Sequence, residues 1–199
     1  MEEKTLSDVP FMKNPVTMLE PHKYFANFLK QNDLYPKCIM EIGGGKEYNM
    51  KNFFDATYIN FDFSEDISSD TIVKDIVNDD ISEFYNMADV VYTNNTFEHI
   101  SNPFIAAEKI YYLLKKGGII FIRSPFSYSY HPCPNDYWRF SPVGLQKLFP
   151  KLHILESGMD QIFRRTDDRG SFKNGLDKVL IDSLGGWRER WHSYIIGKK

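Results

Sequence analysis

The stretch EIGGGKEYNM, residues 41–50, places three glycines directly behind the short run KCIMEI, the order in which a strand enters a tight turn. Such a turn lets backbone N–H groups approach a ligand closely and aims a helix N-terminus at it. The phosphate-loop pattern GxxxxGK[ST] fails here, because Met40 stands where the first glycine belongs and Glu47 follows Lys46 where a hydroxyl should meet Mg²⁺. The dinucleotide pattern GxGxxG keeps Gly43 and Gly45 but has Tyr48 in its third position. What remains is an acid followed by x-G-x-G, which suits a nucleoside carrying an amino-acid tail. A bare structural turn is the alternative.

Working outward, the chain alternates. NPVTMLEPHKYFANFLKQND sets Tyr24, Phe25, Phe28 and Leu29 on one helical face. KCIMEI, ATYINFDF, TIVKDIV, ADVVYTN and IIFIRSP read as strands, with KEYNMKNFF as a helical or irregular stretch and a surface helix before ADVVYTN. PFIAAEKIYYLLKKGG reads as a helix opened near Pro103 and closed by Gly117 and Gly118. Strands alternating with helices predict a parallel sheet covered on both faces. Beyond Ser124 the rhythm breaks in SPFSYSYHPCPNDYWRFSP, too long for a simple connection. A helix VGLQKLF, a strand around residues 152–156, a polar stretch at 161–177, an apolar helix near 176–184 and a last strand RWHSYIIG follow.

The 199 residues suit one domain with a full core: a polar tail over residues 1–14, then one domain over 15–199 with insertions near 124–147 and 158–187. Hydrophobic residues at 42% and charged residues at 26% are ordinary for a globular chain. A net charge of -3 argues against a large sequence-independent grip on nucleic acid and leaves a small molecule as the expected partner. No apolar run approaches the ~20 residues of a membrane span, and MEEKTLSDVP lacks the plan of a signal peptide, so a cytoplasmic location is expected. Cys38 falls in a strand and Cys133 in a proline-rich loop, so neither a disulfide nor a metal site is expected.

Asp62, roughly 20 residues after Glu41, ends the second strand, where a carboxylate can accept from both ribose hydroxyls. Asp75, near the end of TIVKDIV, could pair with an adenine amino group or simply cap a turn. DVVYTNNTFEHI brings Asn94, Asn95, Glu98 and His99 to the carboxyl edge of the sheet, where open α/β folds bind ligands. Together IMEIGGG, INFDFS, VKDIV, DVVYTNNTFEHI and LLKKGGIIFIRSP resemble, in order and spacing, a class I S-adenosylmethionine-dependent methyltransferase. GGWRERWHSYIIGKK looks like that family's closing antiparallel strand. NDYWRFSPVGL is similar to a branch, of the type 11 kind, associated with sugars and capsule or surface-polysaccharide precursors.

The resemblance implies an α/β, Rossmann-like, doubly wound sheet of seven strands with an antiparallel last strand, in three α/β/α layers. It implies S-adenosylmethionine as cofactor and S-adenosylhomocysteine as product. It places Gly43 and Gly45 at the methionine portion, Asp62 with Phe63 at the ribose side, Asp75 and Ile76 at the adenine and Asn94 beside the methionine tail, with Glu41 acting through the turn. The family often has a third glycine or small residue after Gly45, where this chain has KEYN.

Methyl transfer from a sulfonium is an in-line displacement, so much of the catalysis can come from alignment and exclusion of water. A sugar hydroxyl benefits from a base; an ionised acceptor does not. His99 and His131 are the candidate bases, each set against a plain structural role in its loop. Asp136 could orient a base, Tyr137 could stack on a ring and Arg139 could bind an anion bidentately, although an Asn-Asp turn and structural packing would produce the same string; Trp138 reads as core. Arg164, Arg165 and Arg169 in FRRTDDRG either cover an anionic acceptor or form a solvated run neutralised by Asp167 and Asp168. The expected activity is O- or N-methylation of a small sugar or a phosphorylated or nucleotide-linked metabolite. The rivals are a non-catalytic cofactor-binding scaffold and an NAD-dependent sugar oxidoreductase. The latter is disfavoured by the missing third glycine and by Tyr111 and Lys115 lying on a helix.

Overall fold

The computed structural model describes residues 18, 20–45, 50–64, 71–128, 130–162 and 190–199. The tail over 1–14, Lys46 to Asn49 of the glycine turn, the arginine run and the helix expected near 176–184 lie outside the described residues. Seven strands form one sheet: β1 (Cys38–Ile42), β2 (Thr57–Asp62), β3 (Thr71–Val73), β4 (Ala88–Asn94), β5 (Leu114–Ser127), β6 (His153–Ile162) and β7 (Arg190–Lys198). Their order is β3-β2-β1-β4-β5-β7-β6. The first five are parallel, and β7 runs antiparallel between β5 and β6. This is the doubly wound, seven-stranded architecture expected from the sequence.

The helices α1 (Pro21–Gln31), α2 (Pro103–Leu113) and α3 (Pro142–Leu148) each start on a proline, whose missing N–H is not needed in the first turn. Asn102 and Ser141 cap α2 and α3, their side-chain oxygens accepting from the amides of Ile105 and Gly144. α1 buries Phe25, Ala26 and Leu29 against Ile39, Val90, Tyr92 and Phe121 on one face of the sheet. α2 and α3 cover the other through Ala106, Ile110, Leu113, Leu145 and Leu148. β1 is buried throughout, as a central parallel strand covered on both faces must be. No helix among the described residues is long and apolar enough to cross a membrane.

Several boundaries differ from the sequence expectation. The strand expected over TIVKDIV ends at Val73, so that Asp75 lies beyond it, and the surface helix before ADVVYTN is a single 3₁₀ turn, Ser82–Phe84. α2 ends at Leu113, and Leu114 already pairs with Ala88 on β4. Gly117, at φ +84°, therefore turns the chain inside β5 rather than capping the helix, and its amide donates to the carbonyl of Lys199. β6 runs to Ile162 instead of ending near residue 156. Its register slips between Ile154 and Glu156, so the two-residue alternation that reveals a strand is broken in its middle.

Candidate active site

Strand order reverses between β1 and β4, the switch point at which open α/β sheets leave a crevice beyond their carboxyl ends. A cleft of about 540 Å³ opens there, its floor made by Gly43, Gly45, Asp62, Phe63, Asp75 and Ile76. Gly43 leaves β1 at φ +72°, its amide donating to the Phe61 carbonyl, and a Cβ on it would meet the Thr96 side chain at 2.5 Å. Gly45 is also left-handed, at φ +58°. Only glycine takes both positions without strain. The Asp62 carboxylate faces this turn, accepting from the amides of Gly45 at 3.2 Å and Ser64 at 3.1 Å.

Asp75 closes the floor beyond β3. Its carboxylate accepts from the amide of Val77 at 2.8 Å and the side chain of Asn78 at 2.6 Å. Burial alone would raise its pKa, but these hydrogen bonds outweigh burial and hold it below the usual carboxylate range. Glu41 and Asn94 do not line the cleft. Glu41 lies behind the turn, accepting from Met50 N at 3.2 Å and Tyr58 Oη at 2.8 Å. Asn94 directs its side-chain oxygen to Arg123 Nη1 at 2.9 Å.

The opposite wall comes from the residues after β4, Asn95 to Ser101, and from Cys133, Pro134 and Tyr137. A single 3₁₀ turn, Phe97–His99, follows β4. His99 reaches the cleft beside Cys133, Pro134 and Tyr137. Its Nδ1 stands 2.5 Å from the carbonyl oxygen of Asn135, and because that oxygen can only accept, the proton belongs on Nδ1. His131 lies against His99, ring centroids 5.1 Å apart. Its amide donates to Asp136 Oδ2 at 2.8 Å, and its Nδ1 is 3.3 Å from the same oxygen.

Glu98 ties the wall together. Fully buried, it accepts from Ser124 Oγ at 3.0 Å through Oε2, and its backbone carbonyl accepts from the amide of Tyr137 at 2.7 Å. Its other oxygen, Oε1, has no hydrogen-bond partner among the described residues and stands 3.8 Å from Nε2 of both His99 and His131.

Arg139 grips Asp136 with both ends of its fork, at 2.5 and 2.7 Å, and also donates to the Tyr128 carbonyl. Burial would raise the Asp136 carboxyl, but the Arg139 guanidinium and the His131 amide bring it down to about 2. The pair makes Asp136 a permanent carboxylate that orients His131. Tyr137, 49% exposed, lines the cleft with its ring available. Trp138, expected in the core, is instead 38% exposed, because its indole N–H is drawn to the Ile100 carbonyl at the margin of the fold. Arg164 and Arg165 lie outside the described residues.

Sequence reasoning missed three participants. Thr96 packs on Gly43 and donates to the Ile42 carbonyl, fixing the turn; no pattern in TNNTFEH singles it out. Cys133 borders the cleft. Arg123, fully buried, pairs with Asp160 at 2.7 Å and also holds Asn94 and Asn95. Burial lowers the arginine's pKa and raises the aspartate's, and their mutual attraction opposes both shifts. An arginine inside the apolar run IIFIRSP was the available signal, since such a charge needs a buried partner.

Residues 19–161 match the family model described as a methyltransferase domain. No curated protein matches the chain in sequence. Among solved structures, the chain is similar to an S-adenosylmethionine-dependent methyltransferase from Archaeoglobus fulgidus, with TM-score 0.60 and 15% identity over 89% of this chain and 94% of that one. It is similar also to 1,6-didemethyltoxoflavin-N1-methyltransferase from Burkholderia thailandensis, which holds 1,6-didemethyltoxoflavin and S-adenosylhomocysteine, with TM-score 0.60 and 12% identity over 89% and 77%. A third is phosphoethanolamine N-methyltransferase 2 from Haemonchus contortus, holding phosphomonomethylethanolamine and S-adenosylhomocysteine, with TM-score 0.58 and 13% identity over 89% of this chain and 52% of that one.

Proposed function

The chain belongs to the methyltransferase-domain family, and from that premise we propose that it transfers a methyl group to an oxygen or nitrogen of a small polar acceptor in the cytoplasm. S-adenosylmethionine supplies an electrophilic methyl on a sulfonium with a neutral leaving group. The floor residues fit such a ligand. Gly43 and Gly45 keep side chains out of the turn, Asp62 offers a carboxylate to two neighbouring hydroxyls, and Phe63, 60% exposed, offers an apolar face beside it. Asp75 and Ile76 form the far end, where an amino group and a flat base are accommodated together.

The observation that carries the acceptor reading is the second wall, where His99 and Tyr137 line the cleft opposite the glycines and aspartates of the floor, and His131, the buried Glu98 and the Asp136–Arg139 pair stand behind His99 without lining the cleft. A wall of this kind recognises hydroxyl and charged groups rather than an apolar ring. The acceptor's proton is handled at the corner of His99 and His131, with Asp136 and Arg139 as positioning residues and Tyr137 covering the acceptor. Within this class we favour a sugar or a phosphorylated or nucleotide-linked metabolite of surface-polysaccharide synthesis. The resemblance of NDYWRFSPVGL supports the first, and the phosphorylated compound held by the Haemonchus contortus neighbour supports the second.

The test is incubation of the purified chain with S-adenosylmethionine and a panel of nucleotide sugars, sugar phosphates and phosphorylated amino alcohols, read by mass spectrometry. The expected result is gain of one methyl group by a member of the panel, with S-adenosylhomocysteine released in equal amount. Methylation confined to apolar aromatic compounds would overturn the acceptor assignment.

A further inference from the structure

Glu98, His99 and His131 each offer one ligand atom, and these atoms all lie within 4.8 Å of one another. The two rings are held from outside the cluster. The Asn135 carbonyl oxygen holds the proton of His99 on Nδ1, so its Nε2 presents a lone pair. The Asp136 carboxylate, held by Arg139, faces Nδ1 of His131 at 3.3 Å and so turns the ring's Nε2 toward Glu98. Both Nε2 atoms then stand 3.8 Å from the buried Glu98 Oε1, which has no hydrogen-bond partner among the described residues.

Three potential ligand atoms therefore converge in a protected corner around a buried carboxylate oxygen without a hydrogen bond among the described residues, an arrangement suited to a cation. We propose that Glu98, His99 and His131 bind a divalent transition ion of the zinc type at the edge of the cleft, reversing the expectation drawn from the cysteines. Two imidazoles and one carboxylate are the ligand set of open, catalytic zinc or non-haem iron sites, which keep a coordination position for water or substrate. Magnesium, which prefers oxygen ligands, suits the corner poorly.

The geometry needs only local closure. Ligand atoms 2.0–2.1 Å from a tetrahedral ion stand about 3.3 Å apart, so the two 3.8 Å separations shorten by roughly half an ångström and the third, which lies within 4.8 Å, by up to about 1.5 Å. The outer partners are those that orient metal-bound histidines elsewhere, a backbone carbonyl on one ring and a carboxylate on the other. Ser124 holds the second oxygen of Glu98 and leaves Oε1 for the ion.

Ion binding stands on these residues alone. Its consequence for catalysis rests on the proposed function: a hydroxyl at the open position would lose its proton to solvent more readily, with the imidazoles serving as ligands rather than as free bases. The experiment is titration of the EDTA-stripped chain, without S-adenosylmethionine, by Zn²⁺ in a calorimeter and by Co²⁺ followed in the visible spectrum. One equivalent of each ion is expected to bind, cobalt with ligand-field bands of low coordination number, while Mg²⁺ alone gives no comparable heat. Glu98→Gln and His131→Ala, each checked for folding by thermal melting, should weaken binding at least tenfold, and Asp136→Asn about tenfold through the orientation of His131. Cys133→Ser should bind as the parent does.

Absence of zinc binding, equal affinity for magnesium, unchanged affinity in whichever of the two ligand variants folds, or loss of binding in Cys133→Ser would each overturn the assignment. Titration with S-adenosylhomocysteine in parallel separates the two readings. If it binds while zinc does not, only the metal site falls; if zinc binds while it does not, the proposed methyltransferase chemistry falls and the metal site stands.

Discussion

The floor of the cleft and its opposite wall are held in different ways. The floor is made by strand ends: Gly43 hydrogen-bonds across to Phe61, Asp62 accepts from Gly45, and Asp75 accepts from Val77, all through backbone amides close to the sheet. The wall depends on side chains reaching across large sequence separations, Glu98 to Ser124, His99 to Asn135, and Arg123 to both Asn94 and Asp160. A rim fixed by backbone conformation writes itself into the sequence as glycines and aspartates at set intervals. A wall fixed by side-chain contacts leaves only scattered polar residues, whose meaning appears once the chain is folded.

The largest break in this comparison is expected at Arg123. Replacing it with methionine leaves Asp160 buried without its charge partner, a change that typically destabilises by about 3–5 kcal/mol. Chemical denaturation should show that loss, and adding Asp160→Leu should recover most of it. No recovery would mean that the pair does not act as a unit. On the floor, Gly43→Ala forces a side chain into the left-handed region and into Thr96, and a loss of about 2–4 kcal/mol is expected. A melting temperature equal to that of the parent would show that the turn relaxes freely.

The next two changes separate the walls directly. Asp62→Ala should weaken binding of S-adenosylhomocysteine by ~1.5–3 kcal/mol, roughly 10- to 150-fold, whereas Asp136→Asn should leave that affinity as it was. Calorimetry that finds the two variants alike would dissolve the division into floor and wall. The smallest effect concerns acid. The Asp136 carboxyl, at about 2 in the folded chain against about 3.9 when unfolded, contributes stability that is complete above the unfolded value and is lost as the pH falls through about 2. The stability difference between the parent and Asp136→Asn should therefore narrow between pH 4 and pH 2, and a constant difference would remove the Arg139 pairing as its source.

The fold was legible because the alternating apolar strands, the proline-led helices and the glycine turn all agree locally with the final sheet. The sequence misled where long-range pairing overrode a local signal. Leu114 leaves α2 to pair with Ala88 ahead of the glycines, and the bulge near Leu155 hides the length of β6. At the site, Gly43, Gly45, Asp62, Phe63, Asp75 and Ile76, drawn from three separate motifs, line one cleft. Glu98 was seen at the sheet edge, but its link to His131 depends on the path of residues 128–136, which no spacing rule foretells. Arg139 was open between an anion grip, from the fork of its guanidinium, and a structural role; in the fold that fork is taken up by Asp136 three residues earlier.

The most direct measurement is calorimetric titration of the parent chain with S-adenosylhomocysteine and, separately, with NAD. A nucleoside-binding floor that lacks a pyrophosphate cradle predicts saturable one-to-one binding of S-adenosylhomocysteine and no measurable binding of NAD under the same conditions. Tight binding of NAD with none of S-adenosylhomocysteine would contradict it.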